Sequence, residues 1–538
     1  MTQATARIRK RRAQAPRAAD RKQKAPAPEE RSRFQLTGWQ WTCISLLAGA
    51  ALLRLLSLSA KVLHHDEGVN GLFMVSLFRN GYYHYDPANY HGPTLYYAGL
   101  VTTTLNALFY GKAGLSTFAI RLVTVIFGLG VIWLFLCLRR QLGTFGAVAA
   151  AALAAVSPGM VFFSRYFIHE ILFVFFSLGV VVAWLKLKET SEPKYLMLAS
   201  ASLALLGATK ETWIITVVVW LLALLCAEFY LGLRKKSAEE VMARGRTAAA
   251  QQGQPSQPEW STAQLYATAA LVFAAIWVLF YSSFFTYFPQ GLYDSVRTYG
   301  YWFKTGRTDD LHDYWTYFDW LSRAELPALA LGFLGVITAL VKATSRFAVF
   351  TAFWSLGILA AYSLVPYKTP WLQLSIVLPL IIMAGYVLGQ MYERWKARAV
   401  PVLLVALAAA FSLYQAIETS FSRYDDETAV YSYAHSKRDL LNLVNEIDMI
   451  AAGNAAGKNI GIVVMSPEHW PLPWYLRDYT SVGYWAKVVS TTEPIIIAHE
   501  NQRAEVEQLL GSKYRLYSTH DLRPGNRLYL YLRRDVQP

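Results

Sequence analysis

The chain has 538 residues, 54% of them apolar and only 16% Asp, Glu, Lys or Arg. Soluble globular proteins carry about 25% charged residues, so the deficit sets aside an ordinary water-soluble enzyme and makes lipid the main solvent. The formal net charge of +15 raises nucleic acid as a partner, and where that charge lies decides the matter.

Residues 1–33 hold 11 Lys or Arg against three acids, interleaved with Ala, Pro and Gln. Such a segment buries too little apolar surface to order itself. No short apolar region with a small-residue cleavage site comes after it, so 1–36 reads as a disordered cytoplasmic tail ahead of a permanent anchor. A span needs roughly 17 to 25 mostly apolar residues. Spans are expected near 39–60, 117–138, 144–163, 171–187, 195–209, 213–233, 264–287, 326–343, 347–365, 371–391 and 399–417, about 11 in all. The 195–209 run is the shortest and requires Lys194 and Lys210 to snorkel outward. Cys43, Cys137 and Cys226 all fall in apolar runs and read as small helix-packing residues, leaving no disulfide framework or thiolate metal site.

Residues 94–110 (TLYYAGLVTTTLNALFY) decide the sidedness of the rest of the chain. If this stretch does not cross, the clusters Arg139/Arg140, Lys186/Lys188/Lys194, Arg234/Lys235/Lys236, Lys342/Arg346 and Arg394/Lys396/Arg398 all join the basic tail inside. If it crosses, every one of them moves outside, which the positive-inside rule disfavours. The stretch is therefore expected as an interfacial or re-entrant helix within the outer loop 61–116, placing the chain in the cell membrane with its N-terminus cytoplasmic. An odd number of spans then leaves 421–538 extracytoplasmic. There an amphipathic stretch at 430–450, strand-length apolar runs at 459–465 and 495–498, and alternating patterns at 513–518 and 526–533 predict a small α/β domain. With 13 basic and 14 acidic residues this domain is nearly neutral, so the positive charge is a topology signal and no nucleic-acid partner is implied. The expected fold is an all-α polytopic membrane domain over 37–420 with this α/β domain appended.

Ionisable residues collect at the outer ends of the spans. His64, His65, Asp66 and Glu67 come directly after the first span, and Ser164-Arg165-Tyr-Phe-Ile-His169-Glu170 leads into a later one. Carboxylates at the edge of a low-dielectric layer have raised pKa values and become usable bases; the alternative is that Asp66 and Glu67 cap the next helix. Lys210-Glu211 and Pro366-Tyr-Lys368-Thr-Pro-Trp371 close other spans on the same side. Arg165, Lys210 and Lys368 are thus candidates to converge on a phosphate, with snorkelling to headgroups as the alternative. The loop 289–325, with Asp309, Asp310, His312 and Asp313, reads as an amphipathic interfacial helix, or else a lid over the site.

Together, the first-loop His-Asp-Glu, the downstream Tyr82-Tyr83 and Tyr90-His91-Gly-Pro, the Ser-Arg-Tyr-x-x-x-Glu of 164–170 and the late Tyr-Lys-Thr-Pro-Trp resemble the GT-C superfamily of polytopic glycosyltransferases. Its protein O-mannosyltransferase and aminoarabinose-transferase branch is the most similar. More narrowly the chain resembles the prokaryotic "flippase activity-associated" membrane proteins, a likeness that extends to Trp470-Pro-Leu-Pro-Trp474-Tyr-Leu-Arg477. The resemblance implies a membrane-embedded, inverting sugar transferase using a polyprenyl-phosphate-linked donor and a protein or glycolipid acceptor on the extracytoplasmic face. Asp66 matches the superfamily's first-loop acid, a general base or metal ligand, and Glu170 stands where many members have Asp. Glu67 joins them as a catalytic candidate, and His65, Tyr83, His91, Trp371 and Trp474 are candidates for substrate contact, with Tyr82, Tyr90 and Trp470 as further stacking aromatics. Whether a divalent metal takes part is left open by the resemblance, with Asp66, Glu170 and His169 as its candidate ligands. A lipid-linked sugar flippase and a non-catalytic scaffold of a glycosylation pathway are the competing readings.

Overall fold

The computed structural model describes residues 36–88, 91–242, 261–308 and 311–536. The basic tail, Tyr90, the Gln/Pro-rich stretch 247–258 and the pair Asp309 and Asp310 lie outside the described residues. Helix α1 (Gly38–Leu55) leads to the short α2 (His65–Asn80) and to α3 (Thr94–Tyr110), the stretch expected not to cross. A helical layer comes next: α4 (Thr117–Cys137), α5 (Arg139–Val156), α6 (Pro158–Phe163), α7 (Glu170–Thr190), α8 (Pro193–Gly207), α9 (Trp213–Met242) and α10 (Thr262–Tyr281). The loop 289–325 folds into α11 (Gln290–Thr308) and α12 (Thr316–Ala324), before α13 (Leu326–Lys342), α14 (Arg346–Leu364), α15 (Gln373–Arg394) and α16 (Ala399–Ile417).

Seven of the described helices are long and apolar enough to cross a membrane, or up to eight if α12 and α13, bent by 113°, count as one span. This is fewer than the eleven expected from hydropathy, and the reasons are local. The 144–163 run is broken at Ser157-Pro158, where Ser157 accepts from the Met160 N–H at 3.3 Å and starts a new helix. The 195–209 run gives a 15-residue helix, about 22 Å at 1.5 Å per residue, against a hydrocarbon core of roughly 30 Å. The first run ends at Leu55 after 18 residues of modest hydrophobicity. Helix α15 is the hub: it is apolar on all sides and almost wholly buried against α5, α13 and α14, as expected of a helix with no polar face.

The C-terminal part is an α/β domain with a five-stranded sheet, in the order β2-β1-β3-β5-β4. Its strands are β1 (Ile462–Met465), β2 (Val482–Trp485), β3 (Ile495–His499), β4 (Tyr514–Arg523) and β5 (Asn526–Arg533). β1 pairs in parallel with β2 and β3, while β5 runs antiparallel to β3 and β4. The amphipathic stretch becomes α17 (Asp439–Gly453), whose Leu440, Leu443 and Ile447 cover the sheet core. Only β2 is absent from the sequence expectation: it is a short, half-exposed edge strand with Gly483 inside it, and neither an apolar run nor alternation marks it.

This domain is docked on α2. The turn α18 (Leu472–Tyr475) lies against it, and the Tyr475 hydroxyl accepts from the Leu63 N–H at 2.9 Å. A Cβ at Gly68 would stand 2.8 Å from the Pro471 Cα, and one at Gly71 would stand 2.5 Å from the Trp474 ring. Glycine at both positions is therefore the condition for close approach. Gly68→Ala is expected to destabilise the protein by about 1–3 kcal/mol, because backbone must shift; a lowered melting temperature in detergent checks this, and an unchanged one refutes the contact.

Candidate active site

Helix α2 begins with a capping box that divides the acidic pair. The Asp66 N–H donates to His64 Nδ1 at 3.0 Å, and Glu67 Oε2 accepts from the His64 N–H at 3.2 Å. Glu67, a catalytic candidate in the sequence, is turned away from solvent and fully buried. Arg121 of α4 grips it with Nε to Oε1 and Nη2 to Oε2, both at 2.7 Å, and the Phe167 N–H donates to Oε1 at 2.8 Å. Burial alone would raise this carboxyl, but the Arg121 guanidinium, with the Lys61 charge and the Phe167 N–H, outweighs it and holds Glu67 below the ordinary carboxylate range. Arg121 also donates to the carbonyls of Leu58, Lys61 and Val62 at 2.9, 2.9 and 3.2 Å. Glu67 is therefore a structural anchor, and the capping alternative holds for it and not for Asp66.

Asp66 faces the other way, into a cavity of about 650 Å³. The cavity is also lined by His65, His91, His169, Glu170, Lys210 and Trp371, so these site candidates do meet Asp66 there or share its wall. Glu170 opens α7 and forms a close ion pair with Lys210, which lies between α8 and α9. The Asp66 side chain keeps 39% of its surface open to the cavity. Its position deep among protein atoms, and next to the Glu170 carboxylate, pushes its pKa up to about 6, against the pull of His91 and Lys210. His91 Nδ1 lies 2.8 Å from Glu211 Oε2; burial alone would raise this carboxyl, but His91 together with a backbone hydrogen bond and the Lys210 charge holds Glu211 below the usual carboxylate range.

The remaining candidates are placed elsewhere. Arg165 donates to the carbonyls of Arg54 and Leu56 at 2.8 and 2.6 Å, capping the C-terminus of α1. Lys368 does the same for α14, with Nζ 2.6 Å from the Val365 carbonyl and 3.1 Å from that of Ser363. Neither lines the cavity, because a helix end leaves carbonyls that need donors and a long cationic side chain reaches them. Tyr83 is buried among Phe73, Tyr96 and Tyr97, and Trp474 is buried against α2 behind the cavity. Tyr82 is exposed. Among the described residues no three His, Cys, Asp or Glu side chains are grouped to hold a metal ion. Asp66, Glu170 and His169 do not fit as a ligand set: Glu170 is committed to Lys210, and His169 Nε2 lies 3.0 Å from the Gly92 carbonyl.

Several lining residues carried no role in the sequence reading. Asn70, one turn after Asp66 on the same face of α2, donates to the Phe167 carbonyl at 3.0 Å and accepts from the Tyr96 hydroxyl at 2.8 Å; its four-residue spacing was the available signal. Glu211, beside Lys210, was equally legible. Thr298, Tyr301 and Trp302 of α11 line the cavity while Tyr293, Val296 and Phe303 are exposed, so α11 is an amphipathic helix that forms part of the cavity wall. From the C-terminal domain come Tyr433 and Arg523, beside Trp470, already a stacking candidate. Of these Arg523, 458 positions from His65, had no sequence signal.

Arg121→Met is expected to cost about 3–5 kcal/mol by stranding the buried Glu67 carboxylate. The double variant Glu67→Leu/Arg121→Met should regain much of that loss. Thermal unfolding of purified protein distinguishes them, and equal melting of single variant and parent would remove the anchor assignment.

Residues 97–240 match the family model described as dolichyl-phosphate-mannose-protein mannosyltransferase. No curated protein matches the sequence significantly. Among solved structures, ArnT from Cupriavidus metallidurans bound to undecaprenyl phosphate superposes with a TM-score of 0.62 at 13% identity, covering 93% of this chain and 100% of that one. The apo state of the same protein gives 0.60 at 14% identity, over 90% and 97% of the two chains. The chain is thus a multi-pass membrane protein with the fold of the GT-C glycosyltransferases.

Proposed function

We propose that this protein is an inverting glycosyltransferase that moves a sugar from a polyprenyl-phosphate carrier to an acceptor hydroxyl on the extracytoplasmic face. The observation that carries the reading is the Asp66 carboxylate, poised near neutrality in a large cavity beside the Glu170–Lys210 pair. A structure of the same fold holds undecaprenyl phosphate, which supports a lipid phosphate as the donor's carrier here. Asp66 takes the proton of the acceptor O–H as that oxygen bonds to the sugar's anomeric carbon. The bond from that carbon to the phosphate oxygen breaks, and its electron pair leaves with the phosphate. A phosphate is a weakly basic leaving group, so one base and a nearby cation suffice, without the paired acid and base of a glycosidase. Lys210 steadies the departing phosphate, Glu170 orients Lys210 and keeps the pKa of Asp66 high, and Trp371 and Trp470 offer faces to the sugar. The basic inner loops and tail support a cell-membrane protein with a cytoplasmic N-terminus and the sheet domain outside.

Asp66→Asn should leave the melting temperature near that of the parent and reduce transfer from a labelled polyprenyl-phosphate sugar by at least about a hundredfold, the usual worth of a positioned base. Undiminished transfer would remove Asp66 from the chemistry, and translocation of labelled lipid with no covalent product would mark a flippase instead.

The base must be ionised, so kcat/KM should be constant above the Asp66 pKa of about 6 and fall roughly tenfold per pH unit below it. Conversely, Lys210→Gln removes a neighbouring positive charge that lowers this pKa and should move the acid limb upward. A pH profile of the parent and the variant tests both.

A further inference from the structure

Of the described residues lining the cavity, only Lys210 and Arg523 carry a fixed positive charge, against the carboxylates of Asp66, Glu170 and Glu211. Lys210 is already paired with Glu170. Arg165 and Lys368, the other cations that sequence spacing offered to a phosphate, reach helix-end carbonyls and do not line the cavity. A phosphate brought among three carboxylates needs more positive charge than one committed lysine supplies. Arg523, at the end of β4, projects from the C-terminal domain into this cavity with its side chain 11% exposed. Its Nη1 lies 3.4 Å from His65 Nδ1, the residue next to Asp66. Its Nε–H is buried and has no acceptor. Its carboxylate partner, Glu468, keeps 47% of its own side chain exposed, so this carboxylate can turn into solvent while the guanidinium stays in place.

We propose that Arg523 is the second phosphate-binding cation of the cavity, exchanging Glu468 for the phosphate oxygens of the lipid-linked substrate. The proposal rests on the cavity's being the site of a lipid-phosphate donor. Arginine suits the task, since its planar fork offers two parallel N–H donors to one phosphate, which a lysine cannot do. A phosphate held between Lys210 and Arg523 also joins the membrane part to the sheet domain, so donor binding tightens the seat of that domain on α2. The C-terminal domain is then part of the donor site as well as a roof over it.

The test is binding of a polyprenyl phosphate, and of the uncharged polyprenol of equal length, to purified full-length protein. Arg523→Gln should weaken polyprenyl-phosphate binding by about tenfold or more, Arg523→Lys by less, and neither should change polyprenol binding. Glu468→Gln removes the competing carboxylate and should tighten polyprenyl-phosphate binding several-fold, which keeps the proposal testable should Arg523→Gln not fold. A parent protein that prefers the phosphate, with Arg523→Gln binding like the parent or Glu468→Gln binding no tighter, overturns the Arg523 assignment alone. A parent with no preference for the phosphate over the alcohol overturns the lipid-phosphate reading and this proposal together.

Discussion

The buried pair Arg121–Glu67 is the interaction on which the site depends. Through it α4 holds the first turn of α2, the carbonyls of Leu58, Lys61 and Val62, and the Phe167 N–H of the segment before α7. Three separate stretches of chain, around 58–67, 121 and 167, are fixed by one guanidinium and one carboxylate. These bonds are charge-assisted and lie away from water, where such bonds are stronger than neutral ones and a missing partner is most costly. Because Glu67 is locked inward, its neighbour Asp66 must emerge from the helix about 100° away, toward the cavity. Because Phe167 is fixed, Glu170 three residues later opens α7 on the same cavity wall.

Helix α2 thus does three things with three faces. Asp66 and Asn70 line the cavity, Glu67 binds the membrane helices, and Gly68 and Gly71 receive Pro471 and Trp474 of the C-terminal domain. The site therefore sits where the helical part, α11 and the sheet domain meet. This arrangement explains the mixed character of the cavity wall. The helical part supplies the ionisable groups, α11 supplies Tyr301 and Trp302, and the sheet domain supplies Trp470 and Arg523.

Much of the fold was legible in the sequence for simple reasons. A run of apolar residues long enough for the bilayer has few alternatives to a helix, and seven of the eleven such runs are helices of crossing length. The shortfall came from features hydropathy does not weigh: Ser157-Pro158, which stops one helix and starts another, and the 15-residue α8. In the C-terminal domain, β1 and β3 are buried throughout and announced themselves as apolar runs, whereas the edge strand β2 did not. At the site, the acids next to helix starts, Asp66 and Glu170, line one cavity. Of the cations singled out with them, Lys210 also reaches the cavity, while Arg165 and Lys368 cap carbonyls.

By itself, then, the sequence determined that the chain is a membrane-embedded helical protein with a small α/β domain, and it picked out a short set of acids and cations at span ends, Asp66, Glu170 and Lys210 among them. Hydropathy and helix-start chemistry are local, so a single stretch of sequence contains the whole argument. Which of those ionisable residues face the cavity was decided only by the tertiary structure. A lysine or arginine at a span's end has two comparable uses, binding an anion or satisfying the carbonyls a helix leaves open, and which one it takes depends on partners far away in the chain. Glu67 shows this for an acid: its partner is Arg121, 54 residues on, and only the folded chain brings that guanidinium within reach.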